Sequence, residues 1–214
     1  MPLLGLALST ATIVVIFPIA TRGLNMLAGY TGLVSFGHAA FFGIGGYAAA
    51  LAQLTWMPGQ IVMPILFAIA FVAIAAFGVG ILMLRRRGVY FALMTLALSA
   101  LTYSISFRWT ALTGGEDGLG GLERGAIGPF DLDDQRAYYV FVALVGLVVL
   151  FALLRVVRSP FGHTLVAIRE NQERAQFQGY RAQRYKLAAF VLSAAVTGLA
   201  GALSGFQHYI VSAE

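Results

Sequence analysis

Charge is absent from long stretches of the chain. From Gly23 to Leu84 there is no Asp, Glu, Lys or Arg, and Met1–Thr21, Gly88–Phe107, Ala137–Leu154 and Leu187–Ala213 are equally free of them. A helix needs about 20 apolar residues to cross about 30 Å of hydrocarbon, so the first run is too long for one span and must fold back. Trp56-Met57-Pro58-Gly59-Gln60 supplies the break, an interfacial aromatic followed by a turn signal. The pattern predicts an all-α polytopic bundle, a single transmembrane domain over 1–214 with six spans near 3–20, 33–55, 61–84, 88–107, 137–157 and 187–209. Helices buried in a soluble protein would carry charged faces, and these runs have none.

Composition agrees: 59% of residues are hydrophobic and 11% charged, against about 25% charged in soluble domains. The N-terminal apolar run has no basic residue before it and no small-residue cleavage site, so it reads as a span rather than a signal peptide. With no cysteine, thiolate metal sites and disulfides are excluded.

The remaining charges sort by loop. Arg85, Arg86 and Arg87 fill one short connection. The 155–186 segment carries Arg155, Arg158, Arg169, Arg174, Arg181, Arg184 and Lys186 against Glu170 and Glu173. In 108–136, Glu116, Asp117, Glu123, Asp131, Asp133 and Asp134 outnumber Arg108, Arg124 and Arg136. Basic loops stay cytoplasmic, which places 85–87 and 155–186 inside, 108–136 outside and the N-terminus outside. The net charge of +5 is then explained by loops near anionic lipid, without nucleic acid.

Two polar segments are long enough to have structure of their own. The outer stretch Thr113–Gly121 is glycine-rich but acidic, with no strand before it and no Walker lysine after it, so it reads as a loop or lid. The inner coupling segment, 158–186, starts a helix at Ser159-Pro160. Phe161, Leu165, Ile168, Gln172 and Ala175 recur at helical steps, and Gly179 marks the stop. Arg169, Glu170, Asn171, Glu173 and Arg174 form its polar face. Such a helix either floats at the lipid surface or docks in a groove on a partner protein.

Inside the spans no ionisable pair is available for proton relay or ion coupling. Only His38 and His208 lie in apolar runs, with no acidic or thiol partner nearby, a weak basis for a haem, metal or intramembrane enzyme site; no cofactor is expected. Gly29–Tyr47 holds six glycines, which permit close helix approach or a broken helix lining a cavity. Ser35, Gly37, His38 and Gly45 are the candidate pathway residues on that basis. Gly198–Gly205 reads as a packing seam. A carrier without its own coupling charges borrows energy from a partner, of which an ATPase is the obvious kind; a proton- or sodium-driven carrier is the competing possibility.

The stretch Gly29–Tyr47 closely resembles the signature of the branched-chain amino-acid ABC transporter permeases. Arg87–Ala97, Thr113–Leu119, Ser159–Gly162 with Ala167–Asn171, and Arg184–Phe190 agree in the same order, so the resemblance covers nearly the whole chain. It is that of the larger of two paired permease types. The resemblance implies a transport subunit rather than an enzyme, in a bacterial inner membrane, working with a second homologous permease, cytoplasmic ABC ATPases and a periplasmic or extracellular substrate-binding protein. It makes Phe161–Gly179 the coupling helix, with Gly162, Arg169, Glu170, Asn171 and Gly179 at matching positions. Related permeases handle leucine-type amino acids, other amino acids, amides or urea. Family members usually continue past the equivalent of Glu214, so a C-terminally truncated or short form is expected.

Overall fold

The computed structural model describes residues 2–86, 88–127 and 130–212. Arg87 of the basic run and Ala213-Glu214 at the chain's end lie outside the described residues. The fold is a bundle of helices: α1 (Pro2–Met26), α2 (His38–Thr55), α3 (Val62–Met83), α4 (Val89–Arg108), a short α5 (Thr110–Thr113), α6 (Gln135–Val157), α7 (Pro160–Glu170), α8 (Gln172–Phe177) and α9 (Ala182–His208). Four two-residue strands pair antiparallel: β1 (Leu119–Gly120) with β4 (Ile210–Val211), and β2 (Ala126–Ile127) with β3 (Phe130–Asp131).

Five helices are long and apolar enough to cross a membrane: Ala7–Thr31, Val62–Met83, Val89–Arg108, Gln135–Val157 and Ala182–His208. The sixth expected span, α2, is not among them: glycine, alanine, His38 and Gln53 stand where other spans carry large aliphatic side chains. It is wrapped by α9, α3 and α4, so protein rather than lipid covers it. The first helix is longer than the 3–20 expected. Arg22 does not stop it, because that side chain is exposed and a long basic side chain can carry its charge out to the interface. The helix widens into a π-helical turn, Leu27–Thr31, and ends where Gly32 takes φ +71°. Residues 32–37 are not helical, so the second helix begins at His38 rather than near 33.

α9 is the axis of the bundle, packed on α1, α2 and α3, and every residue from Val196 to Leu203 is buried. Without a hydrophobic drive between helices in lipid, close approach of small residues holds them together. A Cβ on Gly45 would lie 2.2 Å from the Gly198 carbonyl oxygen, and one on Gly201 1.9 Å from that of Phe42. The glycine seam of α9 is therefore a backbone-to-backbone crossing with α2. Large apolar side chains such as Ile74 on α3 and Val148 on α6 point outward, as a lipid-facing surface requires.

The connections sort to two ends. At one end Gln53 Nε2 donates to the carbonyls of Gln60 (2.7 Å) and Glu123, and β4 pairs with β1 of the acidic loop. That loop is anchored by Arg124, 1% exposed. Its guanidinium donates to the Phe206 and Gln207 carbonyls at the end of α9, and to Gln135 Oε1, each at 3.0 Å. It lies 4.0 Å from the Tyr138 ring centre and 4.5 Å from that of Tyr209.

At the other end lie the π-turn, the turn at 84–86 after α3 and the segment after α6. The helix expected over Phe161–Gly179 is two helices. Asn171 is extended and its side chain caps α8 by accepting from the Arg174 amide at 2.9 Å. Ser159, expected as a cap, instead donates back to the Val156 carbonyl. The apolar positions still share one patch, because Ile168 of α7 and Ala175 of α8 pack together with Ala182 and Tyr185.

Candidate functional site

A cavity of about 830 Å³ lies between α1, α2, α4 and α9 and extends to β4. It exists because α4 packs along α2 and only lightly on α3, leaving a gap to α1. Ser99, Thr102, Tyr103 and Ser106 of α4 line it, at the i, i+3, i+4 and i+7 spacing that places side chains on one helix face. Phe17 and Thr21 of α1, Phe42, Gly43 and Tyr47 of α2, and Thr197, Ser204 and His208 of α9 form the other walls. No Asp, Glu, Lys or Arg lines it among the described residues. The α4 hydroxyl stripe escaped the sequence reading, which took this span only as a charge-free run. Its signal was present: the hydroxyls of 95, 99, 102 and 106 keep helical spacing.

The same helix holds the broken segment. The Phe36 amide donates to Thr95 Oγ1 at 3.1 Å, and Ser99 Oγ donates to the Phe36 carbonyl at 3.1 Å. Gly37 abuts the Thr95 carbonyl so closely that a Cβ would sit 2.8 Å from it. Non-helical backbone at membrane depth needs such internal partners. Thr95→Val is expected to lower stability by about 1–3 kcal/mol, because the Phe36 amide loses its acceptor. Thr95→Ser should restore most of it; thermal unfolding in detergent checks both.

His38 sits at the start of α2 on the cavity wall. Its Nδ1 is 3.0 Å from Ser35 Oγ and its Nε2 2.7 Å from Ser193 Oγ. Ser193 Oγ gives its only proton to the Gly23 carbonyl at 2.6 Å, so it must accept from His38. That assigns the proton to Nε2, leaves Nδ1 as acceptor from Ser35, and makes His38 a neutral junction of α1, α2 and α9. Both nitrogens are occupied. Of the four candidate pathway residues, Ser35, Gly37 and His38 cluster here, and His38 alone lines the cavity. Gly45 lies apart, in the crossing with Gly198.

At the end of the bundle that carries the π-turn, the expected coupling positions fall in different environments. Gly162 is buried in the first turn of α7, where a Cβ would lie 2.0 Å from the Val157 carbonyl oxygen at the end of α6. Arg169 turns back onto its own chain: it donates to the Gly29 carbonyl of the π-turn, and its methylenes cover Gly32. Glu170 and Asn171 are exposed. Gly179 takes φ +92° after α8. The feature the sequence reading missed is Phe177, 92% exposed at the tip of α8. Two residues beyond Ala175, it falls on the far side of the helix from the buried stripe.

Residues 6–214 match the family described as "Branched-chain amino acid transport system / permease component". The chain is 32% identical over 228 residues to the high-affinity branched-chain amino acid transport system permease protein LivM of Escherichia coli K12. It is likewise 32% identical to LivM of Salmonella typhimurium LT2. Each alignment covers 95% of this chain and 53% of the relative, so the chain spans about half the length of the curated relatives it matches. No solved structure matches it.

Proposed function

The chain belongs to the family of branched-chain amino acid transport permease components, and from that premise we propose that it forms part of the translocation pathway of an ATP-driven importer of branched-chain amino acids. The observation that carries this reading is the uncharged cavity, walled on one side by the α4 hydroxyl stripe and reaching from His38 to Ser212. Cytoplasmic ATPases supply the energy, a second permease completes the pathway, and a substrate-binding protein delivers the solute outside. The basic end, with 84–88 and 155–186, faces the cytoplasm.

Energy reaches the cavity through a chain of contacts in this reading. α7 holds the π-turn through Arg169 and Gly29, the π-turn leads into residues 32–37, and Thr95 and Ser99 fix Phe36 to α4. Phe177 is the exposed apolar knob that enters a groove on the ATPase, while Glu170 and Asn171 flank it. Ser35, Gly37 and His38 shape the inner end of the pathway, and Gly45 sets the helix crossing behind it.

The test is purification of the transporter with its ATPase, followed by uptake in proteoliposomes. Phe177→Ala is expected to weaken ATPase association about tenfold or more, the effect of losing an interface anchor. Arg169→Ala should keep the ATPase bound and lower leucine uptake per ATP hydrolysed. If both variants retain association and full coupling, α7–α8 is not the coupling element. Uptake of urea or an amide in place of leucine would change the substrate and leave the transporter class.

A further inference from the structure

The cavity's hydrogen-bonding groups are polarised. On α4, Ser99 Oγ donates to the Phe36 carbonyl at 3.1 Å and Thr102 Oγ1 to the Leu98 carbonyl at 2.9 Å. A hydroxyl has one proton and two lone pairs. With their protons committed to backbone, these two oxygens can only accept from an occupant.

Tyr47 on α2 is the opposite case. It lines the same cavity, is 7% exposed, and its hydroxyl is the one buried side-chain polar atom without a hydrogen-bond partner among the described residues. Buried hydroxyls left unpaired are costly and call for an explanation. Tyr47 sits mid-way along α2, near the depth where transporters place substrate. In this conformation its hydroxyl is shielded in the wall. One turn earlier Gly43 has nothing within 4 Å of where a Cβ would stand, so the wall beside the ring is open on the cavity side.

No Asp, Glu, Lys or Arg on these walls, among the described residues, offers a counter-charge, so a solute with net charge would lose its hydration with little compensation. A solute whose own charges cancel suits it better. The walls also supply apolar contact from Phe17, Phe42 and Val211. We propose that the cavity holds an aliphatic α-amino acid as its zwitterion, the ammonium on the Ser99 and Thr102 oxygens and the carboxylate on the Tyr47 hydroxyl. His38 contributes no hydrogen bond to it, since both its nitrogens are occupied. This assignment rests on the permease reading and adds to it an orientation and the residue that selects for the carboxylate.

The experiment is binding of tritiated leucine to the assembled transporter in nanodiscs, with competition by leucinol, which keeps ammonium and side chain but carries a hydroxymethyl group in place of the carboxylate and, as a net cation, should compete more weakly than leucine with the wild type. Tyr47→Phe is expected to weaken leucine binding about tenfold and to leave leucinol within about twofold of wild type, a single lost hydrogen bond to a charged group. Because the hydroxyl has no protein partner, the same variant should not lower the thermal midpoint. Thr102→Val should weaken leucine and leucinol alike, and lysine and glutamate should compete poorly. The proposal is overturned if Tyr47→Phe binds leucine as wild type does. It is equally overturned if that variant loses leucine and leucinol together, if it melts lower, or if wild type fails to bind leucine. ATP-driven uptake by the same wild-type preparation separates the two readings. Its presence with an unaffected Tyr47→Phe removes only this subsite, whereas its absence removes the permease reading itself.

Discussion

Leucine at Gly43 is expected to leave the bundle folded and to reduce transport to background. A Cβ there would meet nothing within 4 Å, and Gly43 lines the cavity. Replacing glycine in a helix interior gains about 0.5–1 kcal/mol from reduced freedom of the unfolded chain, so the variant should be at least as stable as wild type. Its isobutyl group would then stand in the open volume between α1, α2 and α4. Alanine at Gly45 or Gly201 should do the reverse. Their Cβ atoms would lie 2.2 Å and 1.9 Å from backbone oxygens of the facing helix, and the α2–α9 pair cannot open without disturbing the axis of the bundle. Overpacking of this kind costs about 1–3 kcal/mol and sometimes more. Size-exclusion thermostability beside uptake measurements should separate the two classes: Gly43→Leu stable and inactive, Gly45→Ala and Gly201→Ala unstable.

The second large effect is expected at Arg124. This buried guanidinium satisfies four acceptors, two of them carbonyls at the end of α9, and is enclosed by two tyrosine rings. Helix C-termini attract cations, and cation–π contact adds to that once water is excluded. Arg124→Ala removes the cation, leaves the Phe206 and Gln207 carbonyls without their donor, and frees the acidic loop from the end of α9. A loss of about 3–5 kcal/mol is expected, because several buried acceptors lose their donor together at about 1–3 kcal/mol each. Arg124→Lys should recover little, because an ammonium cannot reproduce the planar fork. Thermal unfolding in detergent measures both; a midpoint unchanged by Arg124→Ala would mean that the loop is held by other contacts.

The spans were legible because membrane crossing depends on the absence of charge, a local property. The break at 32–37 was not. Six glycines between Gly29 and Tyr47 all permit it, and the groups that fix it, Thr95 and Ser99, lie on another helix. The coupling segment shows the same limit. Phe161, Leu165, Ile168, Gln172 and Ala175 keep helical spacing through Asn171, since α7 and α8 cover one patch, and periodicity alone cannot register the cap that divides them. Arg124 looked like any loop charge, because its burial depends on Tyr138, Tyr209 and the end of α9. His38 was found by sequence for its rarity in an apolar run, and its partners assign it to structure. The α4 stripe is different. It was readable as Thr95, Ser99, Thr102 and Ser106, but a search for missing charge does not register uncharged hydroxyls, and such hydroxyls also bond back to their own helix.

That the cavity is the pathway can be tested by thiol accessibility, and the chain's lack of cysteine makes each introduced thiol unique within it. Gly43→Cys would be compared with Ile74→Cys, whose native side chain is 72% exposed on the outer face of α3. Each transporter, assembled in membrane vesicles, would be treated with a charged, water-soluble thiosulfonate. The expected result is modification at Gly43→Cys that stops leucine uptake and is slowed by leucine, with Ile74→Cys unmodified in its lipid surroundings. Modification of Gly43→Cys without loss of uptake, or none at all, would contradict a pathway through this cavity.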